Sequence, residues 1–166
     1  MKQAILMILL FIFCIACNKD DDGGNPSTDE IVGTWRMLSF HSETEFDTGE
    51  YIITTTLEGF DFNDVQTTFL PDGTAQGNGG TFSVLQTITI DGESVTEVVP
   101  AQAALGESSS WRREGNMLYL DDQQNPVGEM GYPIVTINST TLHLQGIVSS
   151  SLPIPSYIDF LFERVN

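Results

Sequence analysis

Basic residues are scarce in this chain. Its 166 residues carry 6 Lys+Arg against 23 Asp+Glu, a formal net charge of -17. Gripping nucleic acid takes a basic face, so that class of partner is set aside. Charge alone would also repel the chain from an anionic membrane surface. Cysteine is nearly absent: the two present, Cys14 and Cys17, both lie at the front, which leaves the body no thiolate site and no disulfide. Of the two histidines, His41 begins His41-Ser42-Glu43-Thr44-Glu45 and lacks the second His that a zinc helix places four residues on. His143 alternates with Leu142 and Leu144, which puts it on the solvent side of a strand with Thr141 and Gln145. No Gly-x-Ser-x-Gly elbow, phosphate-cradling loop or dinucleotide fingerprint occurs, so no cofactor is indicated. Long apolar runs are missing too. The longest, residues 4–17, has fourteen members, short of the roughly 20 a membrane helix needs.

What is present is aromatic and acidic. Hydrophobic residues make up 40% of the chain, with 10 Phe, 4 Tyr and 2 Trp, enough for one domain with a real core. The short basic start Met1-Lys2-Gln3, the compact apolar run and the small Ala16 form a secretory signal peptide over residues 1–16. The next residue is Cys17, and the arrangement resembles a bacterial lipobox, with Cys14 standing where that pattern usually has Leu. The resemblance implies cleavage after Ala16 and acyl chains on Cys17, a membrane partner reached through lipid and not through charge. Processing would leave 150 residues with 5 Lys+Arg and 23 Asp+Glu, a net charge of -18.

Residues 17–30 read as the lipidated Cys followed by an acidic tether. From Asn18 to Glu30 the only apolar member is Pro26, so the segment cannot bury enough surface to offset its ordering entropy. Asp20, Asp21 and Asp22 precede a glycine, but neither their spacing nor a following bidentate Glu fits a calcium loop. Lys19-Asp20-Asp21 behind the Cys resembles the surface-export signal of Bacteroidetes lipoproteins and implies display on the outer face of the outer membrane.

The body, residues 31–166, shows two-residue alternation and turn signals in place of a helical period. Candidate strands are 31–40, 51–57, 65–70, 81–90, 94–99, 109–113, 117–120, 134–137, 141–148 and 157–165. Leu70-Pro71-Asp72-Gly73-Thr74 supplies Pro and Gly where a β-turn needs them, and Asp91-Gly92 between alternating runs marks a hairpin. Glu114-Gly115-Asn116 and Asn138-Ser139-Thr140 are further reversals. Residues 100–106, with Ala101, Ala103, Ala104 and Leu105, are the one helix-permissive stretch, worth at most a turn or two. Short strands on short turns imply a sandwich or a barrel.

Gly33-Thr34-Trp35 opens the first strand. On the last, period-two counting puts Ile158, Phe160, Phe162 and Arg164 on one face and Asp159 and Glu163 on the other. An apolar row ending in a cation needs something to receive the guanidinium. The pattern resembles the lipocalin signature, in particular that of small lipocalin-like lipoproteins of Bacteroidetes, in which a Gly-x-Trp closes the barrel floor and a late Arg lies over the indole. Gly33 and Trp35 match the first element and Arg164 the second. Trp111 with Gly115-Asn116-Met117-Leu118 looks like a late hairpin of such domains. The resemblance implies an all-β, antiparallel up-and-down lipocalin-like β-barrel of about eight strands, with a planar cation stacked on the ring at its base.

Within that expectation Trp35, Phe160 and Phe162 line floor and wall. Phe60 and Phe62, interleaved with Asp61 and Asp64, either stack a ligand at the barrel mouth or pin a loop. Trp111 beside Arg112 and Arg113, a local positive cluster in an acidic protein, either receives an anion or shields neighbouring acids. The resulting expectation is a non-catalytic lipoprotein binding a small, partly apolar molecule. Its rival is a structural or protein-interaction module of the cell envelope with a filled core. A hydrolase using Asp61, Asp64 or His143 is the third class.

Overall fold

The computed structural model describes residues 30–102, 109–121, 128–148 and 155–166. They form eleven antiparallel strands: β1 (Gly33–Asp47), β2 (Ile52–Asn63), β3 (Gln66–Phe69), β4 (Thr74–Gly77), β5 (Thr81–Ile90), β6 (Glu93–Gln102), β7 (Ser109–Glu114), β8 (Met117–Asp121), β9 (Met130–Ile137), β10 (Thr141–Ile147) and β11 (Ser156–Arg164). The segments expected to be a signal peptide (1–16) and a tether (17–30) lie outside the described residues, Cys17 included, except for Glu30. Among the described residues no helix is long and apolar enough to cross a membrane.

Eleven strands reduce to eight ribbons. β1 pairs with β2 through His41–Asp47 and with β3 through Gly33–Arg36, so β2 and β3 are one strand broken at Asp64. β4 and β5 pair in turn with β3 and β2, and are one strand broken at residues 78–80. β6 and β7 both pair with that strand, at Thr81↔Gln102 and Ala75↔Ser109. The meander continues through β8, β9, β10 and β11, and β11 returns to β1. An eight-stranded antiparallel barrel results, closed through β1–β3–β4–β7–β8–β9–β10–β11. This is the antiparallel up-and-down barrel of about eight strands expected from the sequence.

Alternation decides which side chains fill it. Trp35 and Met37 point inward on β1. A bulge between Met37 and Ser39 then shifts the phase, so that Phe40 and Ser42 continue the inner face. On β11 the inner face is Ile158, Phe160, Phe162 and Arg164, each opposite an inner residue of β1. The deepest layer contains Ile31, Trp35, Leu118 and Leu142, all without measurable exposure, together with Phe69, Ala75 and Trp111. Above it Phe40, Phe62, Phe82, Phe160, Phe162 and Tyr132 form a continuous aromatic cluster. Phe40 stacks on Phe160 at 5.0 Å, Phe62 stacks on Phe82 at 5.3 Å, and Phe82 meets Phe40 edge-on at 6.0 Å. Gly59 makes the space: a Cβ there would press on Phe40 and Phe62.

Two local expectations are revised. Pro100–Gln102 belong to strand β6, because Ala101 pairs with the buried Phe82 and sheet pairing overrides alanine's helical preference. The remainder of that helix-permissive stretch, 103–106, is outside the described residues. The first strand also runs seven residues beyond Phe40, through an acidic segment.

Candidate functional site

One end of the barrel is sealed by polar contacts converging on Arg164. Its guanidinium carbon lies 4.2 Å from the centre of the Trp35 ring. Nη1 donates to the Val32 carbonyl at 2.8 Å and Nη2 donates to the carbonyl of Glu30. The Trp35 indole N–H donates to the Ile31 carbonyl at 2.8 Å. Residues 30–32 therefore cross beneath the barrel as a cap, with Ile31 fully buried. Gly33 is left-handed, φ 138, and a Cβ there would collide with Arg164 Nη1. Glycine is thus required both by its backbone and by the close approach of the cation. The structure brings Gly33, Trp35 and Arg164 together at this floor.

Trp111 and Arg113 complete it. Trp111 meets Phe69 edge-on at 5.6 Å and donates its indole N–H to the Leu70 carbonyl at 3.0 Å. Arg113 donates through Nε to the Gly115 carbonyl at 2.8 Å. Its Nη1 and Nη2 are shielded and have no hydrogen-bond partner among the described residues. That desolvation pulls its pKa down, opposed by the nearby charge of Glu30. Arg112 points the opposite way, over the Tyr119 ring at 3.9 Å and onto Glu129 at 2.7–2.8 Å. The hydrogen bond from Arg112 holds the Glu129 carboxyl below its usual range. Trp111, Arg112 and Arg113 are therefore not one patch, because strand alternation sends them to opposite sides of the wall.

The other end is a chamber. Cross-strand registers on β1, β2, β5 and β6 lay out its wall in rows. At the rim Phe46, Ile53, Ile90 and Glu93 are neighbours. One row deeper come Thr44, Thr55, Ile88 and Val95, and below them Ser42, Leu57, Gln86 and Glu97. The aromatic cluster is the bottom, about 20 Å below the rim at the rise of a β-strand. From β11 Ser156 accepts a hydrogen bond from Thr44 at 3.0 Å. The inward side chains at the rim are uncovered: Phe46 is 45% exposed, Ile90 41% and Val95 72%. Ile88, Ile90, Asp91, Glu93 and Val95 bound a cleft of about 650 Å³. Tyr132, on the chamber floor beside Phe160, gives its hydroxyl to a thioether, Met130 Sδ at 3.8 Å, and burial pushes its pKa up to about 12. Among the described residues it is a neutral donor with no strong acceptor.

Phe60 and Phe62 are separated. Asp61 adopts a left-handed conformation, φ 53, and the register slips there. Phe62 turns into the aromatic cluster, while Phe60 faces outward, 37% exposed. Phe160 and Phe162 stand in the same cluster. Asp64, also left-handed at φ 51, marks the break between β2 and β3 and accepts a hydrogen bond from Gln66. His143 sits on the outer wall against Asp159 at 2.9 Å, with Gln145 on the other carboxylate oxygen at 2.8 Å. The acids considered for hydrolysis and this histidine thus come from different segments of the sheet, and among the described residues no hydrogen bond or ion pair joins them. Among the described residues no group of three or more His, Cys, Asp or Glu could hold a metal ion.

No protein-family model matches the chain, and no curated protein matches it. Several solved structures are similar to it, among them the following two. Bovine odorant binding protein, in complex with undecanal, is 15% identical over 86% of this chain and 76% of that one, with a TM-score of 0.36. The S-type phycobiliprotein lyase of Guillardia theta is 9% identical over 83% and 90%, with a TM-score of 0.30. Both likenesses are loose, and the reading of the site rests on the barrel's own topology and side chains.

Proposed function

We propose that this chain is a lipid-anchored protein of the outer membrane, displayed at the cell surface through acyl chains on Cys17, whose barrel takes up one small, partly apolar molecule without chemical change. The single observation that carries the binding reading is the uncovered apolar rim over a sealed, aromatic-filled base. Inward-facing Phe46, Ile90 and Val95 stay in water, whereas deeper on the same face of β1 and β5 Ser42, Val84 and Phe82 are buried. Concave apolar surface with a few polar groups is the usual make-up of a small-molecule site. Thr44, Thr55, Gln86 and Ser156 are among the polar groups here, with Ser42, Glu93 and Glu97 on the same wall.

The test is titration of the purified chain with N-phenyl-1-naphthylamine, an apolar probe that fluoresces on leaving water. Saturable enhancement is expected, and the Ile90→Asn/Val95→Asn variant should weaken it by tenfold or more with little change in urea midpoint. No enhancement in a folded chain would defeat the reading. For the anchor, Cys17→Ala should abolish acyl labelling and release the protein from the membrane.

A second reading, an interaction module of the envelope, is favoured by strand β6. Among the described residues its outer edge has no strand partner, and Val98 on its outer face is 60% exposed. An unpaired edge is a template for strand addition. Retention of oligomers or partner complexes in an Ile90→Asn/Val95→Asn variant, with no probe bound by the parent chain, would favour it.

A further inference from the structure

The charges of the barrel are segregated along its axis. Residues 31–166 contain four arginines and no lysine. Arg113 and Arg164 face inward at the sealed end. Arg36 is paired with Glu163 on the outer wall at that same end, opposite Gln66 and Glu163 in register. Arg112 is paired with Glu129 and Glu114 outside. Of the histidines, His41 faces outward beside Glu58 and Tyr157, and His143 faces outward on Asp159. Among the described residues no cationic side chain thus faces the chamber, whereas Glu93 and Glu97 do and Asp91 borders its cleft. Glu93 stands at the rim opposite Ile90, and Glu97 stands two rows down opposite Gln86, just above the aromatic bottom. Both are exposed, and neither has an ion-pair partner among the described residues.

We infer that the chamber selects amphiphiles with a cationic head group and an apolar tail, and turns away carboxylates of the same length. This rests on the binding reading above and adds the class of ligand. The tail lies on Ile53, Ile88, Ile90 and Val95 and ends against the aromatic cluster. The head stays at the rim beside Glu93, and Glu97, about 13 Å lower on the same wetted face, adds its field from further off. A carboxylate in that position would meet two like charges with no donor cation to offset them. A wetted carboxylate at contact range is worth several-fold in affinity, and with the weaker pull of the more distant one the preference for a cation over a neutral head is about tenfold. The order for matched tails is cation, then neutral, then anion. Salt at 1 M shrinks the spread, because the screening length falls to about 3 Å.

The experiment displaces N-phenyl-1-naphthylamine from the purified, detergent-free chain with decyltrimethylammonium, decanol and decanoate, each below its micelle concentration. Decyltrimethylammonium should compete about tenfold better than decanol, and decanoate worst. Glu93→Gln/Glu97→Gln should collapse the cation preference while leaving decanol unchanged. Glu43→Gln/Glu45→Gln, which removes the same two charges from the outer face of β1, should leave the order intact. Decanoate competing as well as the cation overturns the inference, and so does an equal response from the outer-face variant, which would mean that net charge alone acts. Failure of the parent chain to bind the probe at all defeats the binding reading itself and is told apart by that.

Discussion

Replacing Gly33 with alanine should damage the floor twice over, and the two injuries can be measured separately. The backbone at Gly33, φ 138, lies where side chains rarely go, and holding a non-glycine residue there costs about 1–3 kcal/mol. The new Cβ would also land on Arg164 Nη1. The guanidinium must then leave its carbonyl acceptors on Val32 and Glu30 and its seat on Trp35. A hydrogen bond to a charged group is worth roughly 1.5–3 kcal/mol and the ring contact about 0.5–2. These losses overlap, so the whole comes to about 4 kcal/mol, a large share of the roughly 5–15 kcal/mol that holds a domain folded. At the urea sensitivity of small proteins the midpoint falls by about 2 M. Arg164→Ala alone should cost about 3 kcal/mol. The double variant Gly33→Ala/Arg164→Ala should add only the backbone strain to that, because no guanidinium remains to be displaced. The assay is urea unfolding followed by tryptophan fluorescence, run as a double-mutant cycle with a coupling of about 2 kcal/mol expected. Effects that add to within about 0.5 kcal/mol would mean that glycine and arginine do not meet, and the account of the floor would fail.

Three further outcomes follow from other parts of the barrel. Tyr132, held protonated to about 12 by burial, makes the folded chain bind more protons than the unfolded one between pH 10 and 12. Stability should fall as pH rises through that window by on the order of 2–3 kcal/mol, and Tyr132→Phe should flatten the fall in melting temperature. Arg113, whose terminal nitrogens lack partners among the described residues, contributes little: Arg113→Met should leave the urea midpoint unchanged or raise stability by about 1 kcal/mol, and a loss above about 2 kcal/mol would show that the cation is paired. Phe160→Ala, which opens a hole between Phe40 and Tyr132, should cost about 3–5 kcal/mol and deepen the chamber, read as tighter binding of longer-tailed probes.

The barrel's ends were more legible than its middle. Alternation on β11 is unbroken and the Gly33-Thr34-Trp35 triplet precedes the bulge on β1, so counting by two puts Arg164 on the face of Phe160 and Phe162, as the structure has it. Counting fails wherever a strand slips phase. Nothing in Gly59-Phe60-Asp61-Phe62 announces that Asp61 turns left-handed, and that one residue sends Phe60 outward and Phe62 inward. Strand β4 escaped notice because Thr74-Ala75-Gln76-Gly77 offers a single apolar residue, held in place by its neighbours and not by its own pattern. The end of β1, His41 to Asp47, is polar because both its faces are wet at the chamber. The chamber itself was missed for a related reason. Ile88, Ile90 and Val95 alternate like any core face, and a sequence does not say whether a second layer covers them. Trp111 looked site-like beside two arginines, but burial against Phe69 explains it.

Glu30 enters beneath the barrel beside Arg164, and Val165 leaves at the same end, its N–H donating to the Thr34 carbonyl at 2.8 Å. The body is therefore entered and left at its blind side. A grip on either flank of it takes the cup by its base and leaves the hollow free. A tag or fusion at either terminus would leave access untouched, whereas an insertion at Asp91-Gly92 would sit across the lip.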